Sequence, residues 1–174
     1  TDFPGNHAGT ISASHNNSGS GNTDVDGFVA QISNDGSAII RSTYIGTSGV
    51  DQVYGIQFDR RGFPYIMGQT TGNMPAINAA FVNPNSRHFI AKLQPDLSAY
   101  VYRTTFGQSG ANLPNISPVA FLVDRCENVY VSGWGGDMSG FPNPGTVGMP
   151  VTANAIPSVP DGRDFYFFVL QRNA

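Results

Sequence analysis

Asn22, Asp24 and Asp26 place oxygen-bearing side chains at alternate positions ahead of Gly27, the spacing with which a loop wraps Ca²⁺. A helix–loop–helix site of that kind also needs a bidentate Glu six residues past the glycine. Position 33 is Ser, and the residues that follow read as a strand. The favoured expectation is an Asx-rich lead-in to a strand, because Pro160-Asp161-Gly162-Arg163-Asp164 recurs at the corresponding place. Ca²⁺ on Asn22, Asp24 and Asp26 is the secondary one, and no other cofactor is expected. Trp134 sits in Gly133-Trp134-Gly135-Gly136-Asp137, where glycines would expose an indole that stacks on sugars or partner side chains. Trp134, Asp137 and Phe141 form the candidate ligand set, weighed against a Trp134 packed between sheets with glycines permitting the close approach. Asp59 and Asp124 end equivalent strands and could be read as paired carboxylates for acid–base work. The simpler expectation is that each accepts N–H groups of its own hairpin. His7 and His15 read as solvated loop residues and His88 as a cap on a strand edge. No Gly-x-Ser-x-Gly or similar nucleophile setting accompanies them, and no catalytic residue is assigned. Cys126, the single cysteine, has no Cys or His partner at metal-ligand spacing and reads as a small buried apolar residue.

The elements that must position these residues follow from composition and periodicity. The chain has 174 residues, 40% of them hydrophobic, enough for a real core. Charged residues make up 12%, Lys+Arg 9 against Asp+Glu 12, with the basic ones scattered singly. A net charge of −3 without a basic stripe argues against nucleic acid and anionic membrane as partners. No apolar run approaches the length of a membrane span. Scarce lysine with abundant Gly, Asn and Ser leans toward a secreted or surface protein.

The sequence repeats internally, which decides the fold class. Gly27-Phe28-Val29-Ala30-Gln31-Ile32 returns as His88-Phe89-Ile90-Ala91-Lys92-Leu93, with Asp35, Ser37 and Gly46 returning as Asp96, Ser98 and Gly107. Asp59, Tyr65 and Gly68 return as Asp124, Tyr130 and Gly133 after a four-residue insertion near 110–117. A third copy starts at Asp164-Phe165-Tyr166-Phe167. Hydrophobic residues alternate with period two, and turn residues separate short runs. Strands are expected over 27–33, 38–45, 52–59 and 64–70, then 88–94, 99–106, 118–124 and 128–134. Tyr44, Tyr65, Tyr130, Phe28 and Phe89 fall at core positions by this alternation. The intervening segments 1–24, 71–86 and 135–163 hold isolated anchors, Phe81, Phe141, Met149 and Val151, and are expected to be pinned to the strands, with 7–23 the least anchored.

Four antiparallel strands per copy describe a propeller-type blade. The expected fold is all-β: two complete four-stranded blades and the start of a third, with long ordered inter-blade loops, as part of a larger propeller or stack. Residues 1–25 then belong to the tail of a preceding repeat, 26–86 to blade 1, 87–163 to blade 2 and 164–174 to the first strand of blade 3.

At Asp26-Gly27-Phe28-Val29, Asp35-Gly36, Ser42-Thr43-Tyr44-Ile45-Gly46, Gly55-Ile56-Gln57-Phe58-Asp59 and Tyr65-Ile66-Met67-Gly68 the chain resembles the seven-bladed β-propeller repeat family abbreviated SBBP. Pro114-Asn115-Ile116-Ser117-Pro118 and Asn128 through Gly136 are similar to segments of large Bacteroidetes surface proteins that carry gliding-motility-associated C-terminal domains. The resemblance implies type IX secretion and an adhesin-like polypeptide at the cell surface. Leu97 departs from the Asp-Gly turn of the pattern, which predicts a different turn there. Two function classes follow. One is a non-catalytic interaction or structural module whose partners are missing blades, other chains, or a glycan or surface protein. The other is a fragment of a propeller-based glycan-active hydrolase or lyase, signalled by acids converging on one face.

Overall fold

A computed structural model describes residues 7–15, 25–136, 145–156, 159 and 161–172. The described residues form nine strands and no helix: β1 Gly27–Ile32, β2 Ile39–Ile45, β3 Asp51–Phe58, β4 Pro64–Thr70, β5 His88–Leu93, β6 Tyr100–Phe106, β7 Ile116–Val123, β8 Val129–Gly135 and β9 Phe165–Leu170. The first eight each lie within two residues of the position that alternation predicts, and β9 falls within the expected 164–174. β-Branched and aromatic residues dominate these runs, which suits a pleated, partly buried surface.

Every pairing is antiparallel, and hydrogen bonding sorts the strands into three sheets: β1-β2 (sheet A), β3-β4-β5-β6 (sheet B) and β7-β8-β9 (sheet C). Strand number and order follow the repeat, but the sheets are offset from it by two strands. The last two strands of the first copy, β3 and β4, pair with the first two of the second, β5 and β6. The short link 46–50 leads from sheet A into sheet B, while the long segment 71–87 returns the chain to the same sheet. Self-comparison fixes the length of a repeat and leaves its phase open. Only sheet B reaches four strands among the described residues.

The inner strands of sheet B, β4 and β5, are buried on both faces. Ile66, Phe89, Ala91 and Leu93 face sheet A in one core with Val29, Ile45, Met74 and Leu97. Tyr65, Met67 and Ile90 face sheet C in a second core with Ile116, Val129, Val131 and Tyr166. Alternate residues of β4 and β5 thus serve opposite cores, as the period of two requires. Gly68 and Gly133 occupy equivalent tight places. A Cβ on Gly68 would strike the Gln52 carbonyl oxygen and the Phe89 ring, and one on Gly133 would lie 2.6 Å from the Ser117 carbonyl oxygen. The repeat also carries its irregularities: β3 shifts register at Val53/Gly55 and β7 at Pro118/Ala120.

Several expectations about single residues change. Leu97 adopts φ 59° where Gly36 has 72°, and both turns close with the same bonds, Leu97 N–H to the Gln94 carbonyl and Gly36 N–H to that of Ser33, each 2.9 Å. The turn is therefore the same. A leucine tolerates the left-handed backbone here because its side chain is buried in the A–B core. Phe28 is 47% exposed, since its face of sheet A carries no further sheet among the described residues. Cys126 is exposed at the tip of the β7–β8 turn, its N–H held by Asp124. The segment 7–15 is pinned: Ile11 N–H donates to the Leu97 carbonyl at 2.9 Å, and His7 Nδ1 lies 2.9 Å from the Ser42 carbonyl with its ring stacked on Tyr44. His15 meets the same Tyr44 edge-on.

Candidate functional site

An exposed aromatic surface lies on the face of sheet C turned away from sheet B. Cross-strand pairing sets Trp134 beside Phe165, Ser132 beside Phe167 and Tyr130 beside Val169. Since side chains alternate, these six share one face, and Leu122 joins them from β7 opposite Tyr130. Trp134 and Phe165 meet edge-to-face with centroids 5.1 Å apart. Both are about half exposed, as are Phe167 and Leu122. Gly133 and Gly135 flank Trp134 for reasons of packing, because β7 and Thr146 leave no room for a Cβ at either.

The same face of sheet B is closed. Five of the corresponding residues, Tyr65, Met67, His88, Ile90 and Lys92, are buried toward sheet C, while Gln69, the counterpart of Trp134, is half-buried. The outward face of sheet A repeats the relationship in the other direction. Phe28, Ala30 and Ile32 correspond to Phe89, Ala91 and Leu93, which are 0% exposed under sheet A, whereas Ile32 is 59% exposed.

Between sheets B and C sits an ionic cluster. Lys92 Nζ is 2.8 Å from Asp59 Oδ2 and 2.8 Å from Glu127 Oε2, and it lies over the Phe63 and Tyr65 rings at 4.8 and 4.9 Å. Tyr65 OH donates to the same Glu127 oxygen at 3.2 Å. Burial opposes the charge on Lys92, but hydrogen bonds to Asp59 and Glu127 outweigh it and hold the ammonium well above the usual lysine range. Burial likewise works against the Asp59 carboxylate and is outweighed by Lys92 and by the N–H groups of Phe63 and Arg61, so its pKa falls below normal. Glu127 comes from the β7–β8 turn with φ 68°, at the place where the first copy has Gly62 at 82°. The strained backbone is kept while its carboxylate ties sheet C to sheet B. A cavity of about 390 Å³ opens beside this cluster, lined by Lys92, Glu127, Tyr102, Asn78 and Arg172. With Lys92 already saturated by two carboxylates, the cluster works as an inter-sheet clasp and has neither a free base nor an activated amine.

Asp59 and Asp124 do what their hairpins require. Asp59 accepts N–H bonds from Arg61 and Phe63 at 2.8 and 3.0 Å, and Asp124 accepts them from Cys126 and Asn128 at 2.7 and 2.9 Å. Hydrogen bonding by the Asn128 side chain lowers the Asp124 pKa first, with backbone N–H groups and Tyr130 adding to it. His88 is fully buried and caps no strand edge. Its Nε2 accepts the N–H groups of Asn115 and Ile116 at 3.0 and 3.2 Å, fixing the start of β7.

Among the candidate site residues, Trp134 and Asp26 are described, and Asp137, Phe141, Asn22 and Asp24 lie outside the described residues. Trp134 is brought together with Phe165, which the sequence analysis did not single out. The signal for it was present in the alternating Phe165, Phe167 and Val169 of β9, all at outward positions. Asp26 leads into β1 against Gly46, and its charge adds to a pKa of buried Asp51 that burial has already raised. Among the described residues no three His, Cys, Asp or Glu side chains gather as a metal would need.

Residues 40–74 match the family model SBBP, a beta-propeller repeat. The match runs through most of β2 and all of β3 and β4, across the step from sheet A to sheet B. No curated protein and no solved structure matches the chain. An all-β chain of antiparallel sheets is what a propeller-type repeat requires.

Proposed function

We propose that the chain is a structural and interaction module of a secreted or cell-surface, adhesin-like repeat protein, one section of a larger propeller or open stack, with no catalytic role. The observation that carries this reading is the correspondence of faces. Ile32 on one side, and Phe165 and Phe167 on the other, hold positions whose counterparts in sheet B, Leu93, His88 and Ile90, are buried by neighbouring sheets. Missing blades of the same parent, or other chains of the same kind, are the partners those faces fit. The half-exposed Trp134–Phe165 pair is the place where a glycan or a surface protein would stack. Residues 114–118 and 128–136, with their likeness to Bacteroidetes surface proteins, support export through type IX secretion.

The carboxylates favour this reading over a propeller-based glycan-active hydrolase or lyase. Asp35, Asp96, Asp124 and Asp164 all have lowered pKa values because hydrogen bonds within their own turns or from neighbouring loops hold the charged form. Asp51, whose pKa is raised by burial, is sealed behind Thr47 and Thr70. A hydrolase would present a pair of carboxylates to an open face. Trp134 is the single tryptophan, so its emission reports on the outward face of sheet C alone. We expect red-shifted, acrylamide-quenchable emission in dilute solution, and a blue shift with protection as concentration rises. Emission that is buried from the outset, or unchanged across the series, would contradict the reading.

A further inference from the structure

β2 and β6 hold the same place in their sheets. Each is a terminal strand, pairs with β1 or β5, and is clamped on its far edge by a segment from earlier in the chain. For β6 the clamp is 75–83. Ile77 and Arg103 exchange N–H···O bonds of 2.8 Å in both directions, Asn83 N–H donates to the Thr105 carbonyl at 2.9 Å, and Arg103 Nε donates to that of Pro75 at 2.9 Å. For β2 the clamp is 7–15, with Tyr44 N–H donating to the Ser12 carbonyl at 3.2 Å and Ser12 N–H to Thr43 Oγ1 at 2.9 Å.

A third clamp stands beside β9, and no described strand lies inside it. Met149-Pro150 repeats Met74-Pro75, and both methionines are buried in their respective cores. Tyr166 OH donates to the Pro150 carbonyl at 2.5 Å, anchoring the segment to sheet C. Between residues 150–156 and β9 lies a cavity of about 730 Å³, walled also by Phe81 and Phe106. Ile156, the counterpart of half-buried Phe81, is 98% exposed. The backbone of β9 is set to use this space. Gly135 N–H donates to the Asp164 carbonyl at 2.9 Å, and an antiparallel ladder alternates, so the N–H and C=O groups of Phe165, Phe167 and Val169 face the cavity. Their counterparts in β5, His88, Ile90 and Lys92, face Phe106, Thr104 and Tyr102 of β6.

We propose that this slot takes one extended strand of the type of β2 and β6, supplied by a further repeat and laid antiparallel along β9. Main-chain bonds to Phe165, Phe167 and Val169 fix it on one side, and residues 150–156 hold it on the other. Strand addition of this kind draws affinity from the backbone and selectivity from the side-chain pockets. The inference rests on the repeat reading above, but it concerns the edge of sheet C, whereas that reading concerns its face.

The test is titration of the 174-residue chain into a fluorescein-labelled peptide of residues 99–107, followed by anisotropy. We expect saturable binding that weakens about tenfold or more when Thr104 of the peptide is N-methylated, because that N–H faces the receiving strand. The peptide carries the change, so the fold of the protein is untouched. No binding at about 1 mM peptide, equal binding by a scrambled sequence, or indifference to N-methylation would overturn the proposal. Self-association of the chain that saturating peptide abolishes would give the slot to a second copy and overturn it too, whereas association that persists belongs to the faces. Should the peptide fail while Trp134 still becomes protected with concentration, the edge proposal falls and the face reading stands.

Discussion

His88 shows how one buried side chain can set the acid behaviour of the molecule. Its Nε2 receives two N–H groups, so the proton sits on Nδ1, which has no partner among the described residues. Burial pushes its pKa down to about 3 from 6.5. The unfolded chain takes up this proton below 6.5 while the folded chain refuses it. Stability from this group is therefore complete above 6.5 and declines as pH falls toward 3, by about 1.4 kcal/mol per pH unit. His88→Gln retains an acceptor and removes the titration, so urea denaturation at pH 6.5 and 5 should show a flatter loss for the variant. Glu127 offers a second residue-scale test. Its pKa is lowered first by the hydrogen bond from Lys92, and replacing it with Gln weakens the clasp between sheets B and C. We expect Glu127→Gln to cost about 1–3 kcal/mol in chemical denaturation at pH 7. An unchanged midpoint would show that Asp59 alone satisfies Lys92.

At the scale of elements, the equivalent glycines of β4 and β8 mark where a strand must meet its neighbours at backbone distance. Gly68→Ala drives a methyl group into the Gln52 carbonyl and the Phe89 ring, neither of which has room to move, and should cost about 1–3 kcal/mol or more in thermal unfolding. Gly62→Ala, in an open turn at φ 82°, meets no atoms and carries only the backbone penalty of about 1–2 kcal/mol. The strands themselves were legible in the sequence, because alternation and turn residues are local properties. The sheets were less so. Nothing local in 71–87 shows that it returns to the sheet it left, or that the five residues 46–50 leave theirs. The Leu97 turn misled for a related reason. A positive φ without glycine is sustained by burial of the side chain in the A–B core, which is a tertiary fact. Of the candidate site, Trp134 was legible as an aromatic among glycines. Its partner Phe165 was not, since their contact depends on the pairing of β8 with β9, thirty residues apart in sequence. The Met-Pro pairs at 74–75 and 149–150 would have marked the clamps, had they been aligned.

At the scale of the molecule, three sheets enclose two cores and leave two apolar faces outward. The interior shows both halves of the contact that each outward face needs. Sheet C turns outward the positions that sheet B turns toward sheet C, and sheet A those that sheet B turns toward sheet A. On the proposed reading these two faces fit each other, and we expect copies of the chain to join head to tail, a heterologous contact that grows without closing on a pair. A charge on either face should prevent it. The most direct measurement is light scattering across a concentration series for the chain, for Ile32→Lys on the outward face of sheet A, and for Tyr54→Lys at an exposed site on β3 as control. The account predicts a mass that rises with concentration for the chain and for Tyr54→Lys, and stays at 18.5 kDa for Ile32→Lys. A constant 18.5 kDa for all three would contradict it, because the outward faces would then be finished surfaces and not places for further sheets.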